Sequence, residues 1–247
     1  MTAPLFSSRK RPFHLGPFPL ERLARVARSN LPVDIPPMKP VDFENASAPE
    51  SLVNALREYQ AMLDALGDGL VSKTKAKCPE DLDERARHIK SFGYFQDAPM
   101  VGIGTFSPDM LLDTPIRNPE IGRLAEELKT KQVHSLAAGI DGIMADLKDS
   151  MVAPPKSIDG HTQTVVLLYD YSRDPTPDEA GFTWMADAQA HRACVRGSET
   201  AVILANYFRV LGYDAKVHAG SSTDVDLNKL AVSAGLACVD GDRLVNP

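Results

Sequence analysis

The clearest pattern of apolar positions along the chain lies between Met185 and Leu236. Gly212 divides this stretch, and glycine readily adopts the left-handed conformation in which many helices end. The pattern therefore predicts one long helix that ends at Gly212. Its apolar stripe recurs at helical spacing and consists of Ala186, Ala190, Ala193, Cys194, Ala201, Val202, Leu204, Ala205, Phe208 and Leu211.

After Gly212 the pattern predicts a short strand and a second helix. Residues 214–219 read Asp-Ala-Lys-Val-His-Ala, an alternation that is typical of a strand. Asp224 or Asp226 is expected to cap the following helix, because either carboxylate can accept the free N–H groups of a first turn. The buried face of that helix is predicted to consist of Leu227, Leu230, Ala231, Ala234 and Leu236.

Upstream of Met185 the same reasoning predicts further helices and two buried strands. The first helix opens at Pro49-Glu50-Ser51, ends near Gly67 and Gly69, and places Leu52, Leu56, Tyr59, Met62 and Leu63 on one face. Three more helices are predicted over Asp81–Ser91, from the cap Asn118 through Lys129, and over Val133–Lys148. The strands are predicted over Ala98–Phe106 and Thr164–Tyr171.

These elements predict an α+β fold with an extended N-terminal arm. The middle of Thr164–Tyr171 is apolar on both faces, so we expect it inside a sheet that helices cover. The 247 residues are enough for one domain with a substantial core. Residues 1–48 form the predicted arm and residues 49–247 the single α+β domain. The arm is rich in proline, with Pro12, Pro17, Pro19, Pro32, Pro36, Pro37 and Pro40.

Composition and charge argue against nucleic-acid and membrane partners. Hydrophobic residues make up 43% and charged residues 24% of the chain, as in an ordinary globular protein, and the net charge is −6. The basic cluster at Arg9, Lys10 and Arg11 is interpreted as a solvated part of the arm. The residues that follow it are broken by prolines and too short for the apolar core of an export signal. We therefore expect a cytoplasmic protein.

The cysteines predict neither a cluster nor a zinc site on this chain. Iron-sulfur clusters need four closely organised thiolates, whereas Cys78, Cys194 and Cys238 lie far apart. No C-x-x-C or H-E-x-x-H spacing occurs. Three scattered cysteines also indicate a reducing compartment.

The strongest group of candidate site residues lies on the long helix and the strand predicted after it. His191, Arg192, Arg196 and Glu199 follow one another at helical reach, and His218 returns beside them. One interpretation is a salt-bridged surface in which Glu199 pairs with an arginine. The other is an anion-binding site with His218 as hydrogen-bond donor.

Two further groups favour structural interpretations. Tyr169 beside Asp170 could donate a proton at the end of a strand, although packing is the preferred interpretation. Gly102-Ile103-Gly104 lacks the third glycine of a dinucleotide-binding fingerprint, and a strand that needs small residues explains it better.

Residues 199–218, ETAVILANYFRVLGYDAKVH, and residues 230–237, LAVSAGLA, resemble a segment of the cobalamin-dependent reductive dehalogenases and the related epoxyqueuosine reductases. The family segment runs helix, Leu-Gly-Tyr-x-Ala, strand and Leu-Ala-x-x-Ala-Gly-Leu. Residues 4–23, PLFSSRKRPFHLGPFPLERL, are similar to the start of the soluble, catabolic branch of these dehalogenases. The resemblance implies the nitroreductase-like α/β sandwich of corrinoid-binding proteins.

One departure from the family pattern indicates a degenerate copy of the corrinoid-binding fold. The corrinoid-binding copy continues past Ala-Gly-Leu with further glycines and an arginine, whereas this chain continues Ala237-Cys238-Val239. These side chains restrict the approach of backbone to a ligand. The resemblance implies two copies of the fold in catabolic members, of which this chain resembles the first. The active copy and a ferredoxin-like module would then lie beyond Pro247.

The resemblance implies that this chain is the N-terminal module of a dehalogenase-like oxidoreductase. Such an enzyme removes halogen from organohalides with cobalamin and iron-sulfur clusters, which regions absent from this chain would bind. No residue matches the family's catalytic tyrosine, so the chain is assigned no catalytic residue and no metal ligand, and alone it is not expected to be catalytic. His218, Arg196 and His191 are candidate contacts to a corrinoid tail. The alternatives are a free-standing corrinoid- or flavin-binding protein of this fold and a structural or dimerisation module, with a homodimer as one form.

Overall fold

The structure is a computed structural model and describes residues 34–130 and 153–245, together with residues 32 and 151. The helix predicted over Val133–Lys148 and most of the predicted arm lie outside these residues. The described part contains helices α1 (Leu52–Ala65), α2 (Leu82–Phe95), α3 (Glu120–Thr130), α4 (Phe182–Met185), α5 (Ala188–Val210) and α6 (Leu227–Ser233). Its strands are β1 (Met100–Thr105), β2 (Leu111–Ile116), β3 (Gln163–Leu168), β4 (Thr223–Val225), β5 (Cys238–Asp240) and β6 (Arg243–Val245). The predicted α+β composition is confirmed.

Side-chain caps fix where several helices begin. The Ser51 hydroxyl accepts the backbone N–H of Val53 at the start of α1. The Asp81 carboxylate accepts the backbone N–H of Asp83 at the start of α2. Asn118 caps α3 through the Glu120 N–H at 3.0 Å, as predicted. Of the two aspartates that were candidates for the cap of α6, Asp226 performs it and accepts two N–H groups of the first turn.

The sheet that β1 and β3 form lies between two helices. The strands pair antiparallel, with Met100 opposite Leu168 and Thr105 opposite Gln163. On one face, Tyr94 and Ala98 of the α2 segment pack with Val101, Val165 and Leu167. On the other face, Ala234 and Leu236 after α6 pack with Met100, Val166 and Leu168. The prediction that helices cover this strand is therefore confirmed.

The glycines of β1 let α6 approach the sheet. A Cβ atom on Gly102 would lie 2.7 Å from the Leu236 Cγ, and one on Gly104 would lie 2.9 Å from the Ser233 Oγ. Because such contacts are too short for real atoms, only glycine permits this packing. The pair that partly matches a dinucleotide fingerprint thus serves close packing, as the preferred interpretation predicts.

The strand predicted over residues 214–219 is wrong. Residues 213–218 form no strand, and the strand of this region is β4, which pairs antiparallel with β2. The backbone groups of the predicted strand bind elsewhere: the Ala215 carbonyl accepts from Arg209, and the Val217 N–H donates to the Gly67 carbonyl at 3.0 Å. The end of α1 takes the place of a neighbouring strand.

The predicted strand over Thr164–Tyr171 and the predicted face of α1 both need correction. β3 ends at Leu168, and the Tyr169 ring packs against α5 at Gly197. In α1, Tyr59 and Met62 are 45% and 54% exposed, while fully buried Gln60 belongs to the inner face. That face is polar in part, so an apolar pattern alone could not locate it.

Gly212 ends α5 in the conformation that the sequence predicts. Its φ is +84°, and the Tyr213 N–H donates to the Phe208 carbonyl across the turn at 3.0 Å. The turn also lies against another segment, because a Cβ on Gly212 would lie 2.5 Å from the Thr74 carbonyl oxygen.

We expect Gly212→Ala to lower the free energy of unfolding by more than the ~1–2 kcal/mol that a left-handed non-glycine residue costs, since the added Cβ also meets Thr74. Gly241→Ala is the matched control, because Gly241 has a φ of +61° and open space around its Cβ position. Urea unfolding of both variants measures the difference. Equal losses would contradict a steric contribution at Gly212.

Candidate functional site

His191 joins the start of α5 to the arm. Its Nδ1 lies 2.6 Å from the Asp187 carbonyl oxygen and its Nε2 lies 2.7 Å from the Asp42 carbonyl oxygen. The rings of His191 and Phe43 pack edge to face, with their centroids 4.9 Å apart. Both ring nitrogens are therefore engaged by backbone of the chain itself.

Arg196 lies about one and a half turns further along α5 than His191. It is exposed, and its guanidinium lies over the ring of Tyr169 at 5.2 Å. The Tyr169 hydroxyl lies 2.6 Å from the Thr200 Oγ1 and donates to the Gln96 carbonyl. Burial raises the pKa of Tyr169, so the phenol is neutral and packed. No ion pair joins Arg196 to Glu199 in the part of the chain that the structure describes.

His218 is held in a neutral form. Its Nδ1 accepts the backbone N–H of Asp224 at 3.3 Å, so the ring proton is on Nε2. Burial lowers the pKa of His218 to about 4, and the charge of nearby Lys216 contributes to the same direction. The predicted role as a hydrogen-bond donor is chemically consistent with this tautomer.

A cluster of charged side chains surrounds His218, and no pattern in the sequence identifies this cluster. The Lys216 Nζ lies 2.7 Å from the Asp224 Oδ2 and donates to the Lys156 carbonyl at 2.9 Å. Arg117 donates to the other carboxylate oxygen of Asp224. Burial alone would raise the pKa of Asp224, but the hydrogen bonds from Lys216 and Arg117 lower it. These ion pairs connect β2, β4 and the segment after α5.

The three candidate site residues lie in different surroundings. His191 contacts the arm, Arg196 contacts the end of β3, and His218 contacts the charged cluster. Among the described residues no contact joins one of them to another. Their role in cofactor binding stays a prediction.

A second polar group, also not found from the sequence, lies buried between α1 and α5. The Gln60 Nε2 donates to the Asp64 Oδ1 at 2.8 Å and the Ser198 Oγ at 2.9 Å. The Asp64 Oδ2 accepts from the Ser221 hydroxyl at 2.7 Å and the Asn118 Nδ2 at 2.8 Å. We call these five residues the buried polar network. It joins α1, the start of α3, α5 and the turn before β4.

Burial dominates the electrostatics of this network. It raises the pKa of Asp64, although the hydrogen bonds from Ser221, Asn118 and Gln60 favour the ionised form. Burial also raises the pKa of the neighbouring Cys194 thiol to about 11, so this cysteine is a poor nucleophile at neutral pH. Gln60 Oε1 has no hydrogen-bond partner within the described residues. The network is enclosed and holds the helices together.

Two surface grooves are further candidate binding sites. An apolar groove of about 270 Å³ lies between α2 and α5, where the rings of Phe92 and Tyr207 stack at 5.0 Å. A groove of about 500 Å³ lies beside α1, and its Arg57 and Arg123 are both paired with Glu120. No group of His, Cys, Asp and Glu within residues 34–130 and 153–245 is arranged to hold a metal ion. Over the same ranges, no helix has the length and apolar character needed to cross a membrane.

Several solved structures are similar to this chain over nearly its whole length. The catabolic reductive dehalogenase NpRdhA, in complex with 3-bromo-4-hydroxybenzoic acid, is 31% identical over 98% of this chain with a TM-score of 0.66. A reductive dehalogenase structure described as suggesting a mechanism for B12-dependent dehalogenation is 31% identical over 99% of the chain with a TM-score of 0.65. The chain spans only 28% of the length of each of these two. No protein-family model and no curated protein matches the chain.

We expect Asp64 and Asp224 to affect stability with opposite pH dependence. The raised pKa of Asp64 gives a contribution that is fully present below the unfolded value of about 3.9 and is lost as pH rises through the folded pKa. The lowered pKa of Asp224 gives a contribution that is present above about 3.9 and is lost as pH falls through the folded pKa.

Urea unfolding of the unmodified chain, Asp64→Asn and Asp224→Asn between about pH 3 and about pH 7 measures both effects. As pH rises, the stability of the unmodified chain should fall relative to Asp64→Asn and rise relative to Asp224→Asn. A difference from Asp64→Asn that stays constant with pH would show that burial does not shift this carboxyl.

Proposed function

We propose that this chain is the N-terminal module of a reductive dehalogenase-like oxidoreductase. The observation that carries the proposal is the 31% identity to NpRdhA over 98% of the chain, with a TM-score of 0.66. Because the chain spans 28% of that protein, the module would act within a longer polypeptide. The other regions of that polypeptide would bind cobalamin and iron-sulfur clusters and would remove halogen from organohalides.

The fold of the module would be a degenerate copy of the nitroreductase-like, corrinoid-binding sandwich. The packing of the turn after α6 supports this proposal. Leu236 is fully buried against Gly102, and Ala237 is also buried. In the pattern implied by the resemblance, glycines at this point bring backbone close to the corrinoid. Here Leu236 and Ala237 pack into the core beside the sheet and do not line an open site, and Cys238 and Val239 belong to β5.

The described residues do not fit a corrinoid. His191 has both ring nitrogens engaged by carbonyl oxygens, Arg196 lies over Tyr169, and His218 is enclosed by ion pairs. Pockets for drug-sized ligands measure about 300–1,000 Å³ and bury most of the ligand, and a corrinoid is larger than such ligands. The grooves of about 270 and 500 Å³ are small for it. The proposed role of the module is therefore structural, and no catalytic step is assigned to its residues.

The remaining expectations from the sequence belong to the same proposal. A cytoplasmic location is proposed because prolines interrupt the residues that follow Arg9–Arg11, where an export signal needs a continuous apolar core. The net charge of −6 gives no general attraction for nucleic acid. The principal partners would be the cobalamin-binding and ferredoxin-like regions of the same polypeptide.

We expect the purified chain to release hydroxocobalamin. After mixing at a one-to-one ratio and desalting, the corrinoid absorbance should be lost from the protein fraction, because the candidate contacts are already engaged. A cobalamin-binding reductive dehalogenase provides the positive control. Retention of the corrinoid at one-to-one stoichiometry would favour a free-standing binding protein, and His218→Ala and Arg196→Met would then locate the contact.

We also expect the natural reading frame to continue past Pro247. The additional sequence should contain a cysteine-rich run with the C-x-x-C-x-x-C spacing of a ferredoxin-type cluster, because the three cysteines of this chain cannot provide four ligands. Sequencing of the gene and its transcript determines this. A stop codon directly after Pro247 would contradict the longer polypeptide without affecting the similarity in fold.

A further inference from the structure

The β1–β3 ladder leaves one row of backbone groups of β3 pointing away from β1. The Phe106 N–H donates to the Thr162 carbonyl at 3.0 Å, which continues the ladder by one residue. In an antiparallel pair only every second residue exchanges bonds with its partner. Thr164 and Val166 therefore point inward, and the N–H and C=O groups of Val165 and Leu167 point outward.

This outer edge of β3 has no partner in the described ranges, 34–130 and 153–245. Neither Val165 nor Leu167 makes a backbone hydrogen bond outside the ladder there. The outer edge of β1 differs, because Val101 is fully buried and the Thr105 carbonyl accepts from the Ser233 hydroxyl at 3.1 Å. β3 is half-buried along most of its length. The open edge of this sheet is therefore that of β3.

β3 also lacks the features that keep an exposed edge from pairing. Its sequence, Gln-Thr-Val-Val-Leu-Leu, contains no charge and no proline, and its register is regular over all six residues. Natural edge strands are usually protected by charges, prolines or bulges. β2 shows this protection, with Asp113, Pro115 and an irregular register. The faces of the sheet are covered by α2 and α6, so the part of β3 that is open to a partner is its edge. A partner binds such an edge by adding a strand.

We propose that β3 pairs with β3 of a second copy of this chain, antiparallel across a twofold axis. The order of the resulting four-stranded sheet is β1, β3, β3 of the partner and β1 of the partner. An antiparallel edge is complementary to itself under twofold symmetry, and every twofold register brings odd-numbered residues opposite odd-numbered ones. The outward groups of one copy therefore meet the outward groups of the other.

With Val166 on the axis, Val165 lies opposite Leu167 of the partner subunit. This apolar pair extends the face that packs against α2. The charge closest to the strand is Asp170, four positions from Val166. The two Asp170 carboxylates then lie on the order of 25 Å apart along the strands, so like charges do not oppose the pairing.

The first test combines oligomeric state with hydrogen exchange on the purified chain. Sedimentation over a range of concentrations should show a dimer that dissociates on dilution. Amide exchange measured by NMR should protect Val165 and Leu167 only in the dimer and Val166 in both states, because Val166 donates within the β1–β3 ladder. A chain that is monomeric at every concentration would overturn the proposal.

The exchange pattern also shows whether something other than a second copy of the chain binds the outer edge of β3. Protection of Val165 and Leu167 in a monomer would assign the edge to another segment of the same chain and overturn pairing between copies. A dimer that leaves both amides unprotected would place the interface elsewhere and overturn it as well.

Val165→Pro removes the outward N–H without removing a ladder bond, because proline is tolerated where the N–H faces away from the partner strand. Val165→Ala is the matched control, since it removes side-chain volume and keeps the N–H. We expect the dimer dissociation constant to rise at least ~10-fold for Val165→Pro relative to Val165→Ala. The proline removes one hydrogen bond of the interface and also leaves the carbonyl group of the partner subunit without a donor. Equal constants would overturn the proposal.

Circular dichroism and thermal melting confirm that the variants are folded. If Val165→Pro does not fold, Gln163→Pro at the exposed first position of β3 removes an outward N–H from the same row. Its dimer should also be weakened, relative to Gln163→Ala. The result does not depend on the proposed function, because cobalamin release and dimerisation are measured separately.

Discussion

The structure depends on one constraint, which is that the polar groups buried between α1 and α5 need hydrogen-bond partners; within the described residues Gln60 Oε1 lacks one, and the contacts below supply the others. Arg209 is 2% exposed, and its guanidinium donates to the carbonyl oxygens of Ala215, Leu66 and Gly67. It thereby satisfies the free carbonyls at the end of α1 and fixes the segment after α5. The buried polar network pairs further buried side chains of α1 and α5 with one another. Leaving any of these groups unpaired costs about 1–3 kcal/mol, so the two helices have one stable relative position.

Other parts of the module follow from that position. The turn at Gly212 lies against Thr74, and the Arg209 and Leu211 carbonyls accept backbone N–H groups of Ser72 and Ala76. The loop after α1 is held in this way by the end of α5. The arm is held at the other end of α5, where His191 contacts the Asp42 carbonyl. Of these contacts, the one to Asp42 engages His191, which the sequence marked as a candidate ligand.

Local signals in the sequence were reliable where one residue type determines the backbone. Asn118 and Asp81 begin helices because their side chains accept the free N–H groups, and Gly212 ends α5 because glycine adopts a positive φ at low cost. The resemblance to the reductive dehalogenases, stated from residues 199–218 and 230–237, agrees with the structural similarity. The inner face of α1 was placed wrongly because Gln60 is buried through hydrogen bonds, and an apolar pattern does not register such residues.

The sequence by itself determined the order of most helices, the β1 and β3 strands and the family to compare, since these depend on neighbouring residues and on motifs. Only the tertiary structure decided that residues 213–218 bind the end of α1, that Asp64 joins Ser221 across 157 positions, and that His191, Arg196 and His218 lie in separate surroundings. The physical reason is that buried polar groups take whichever partner the packed helices bring within reach. Such partners are distant in sequence, and no local pattern records their positions.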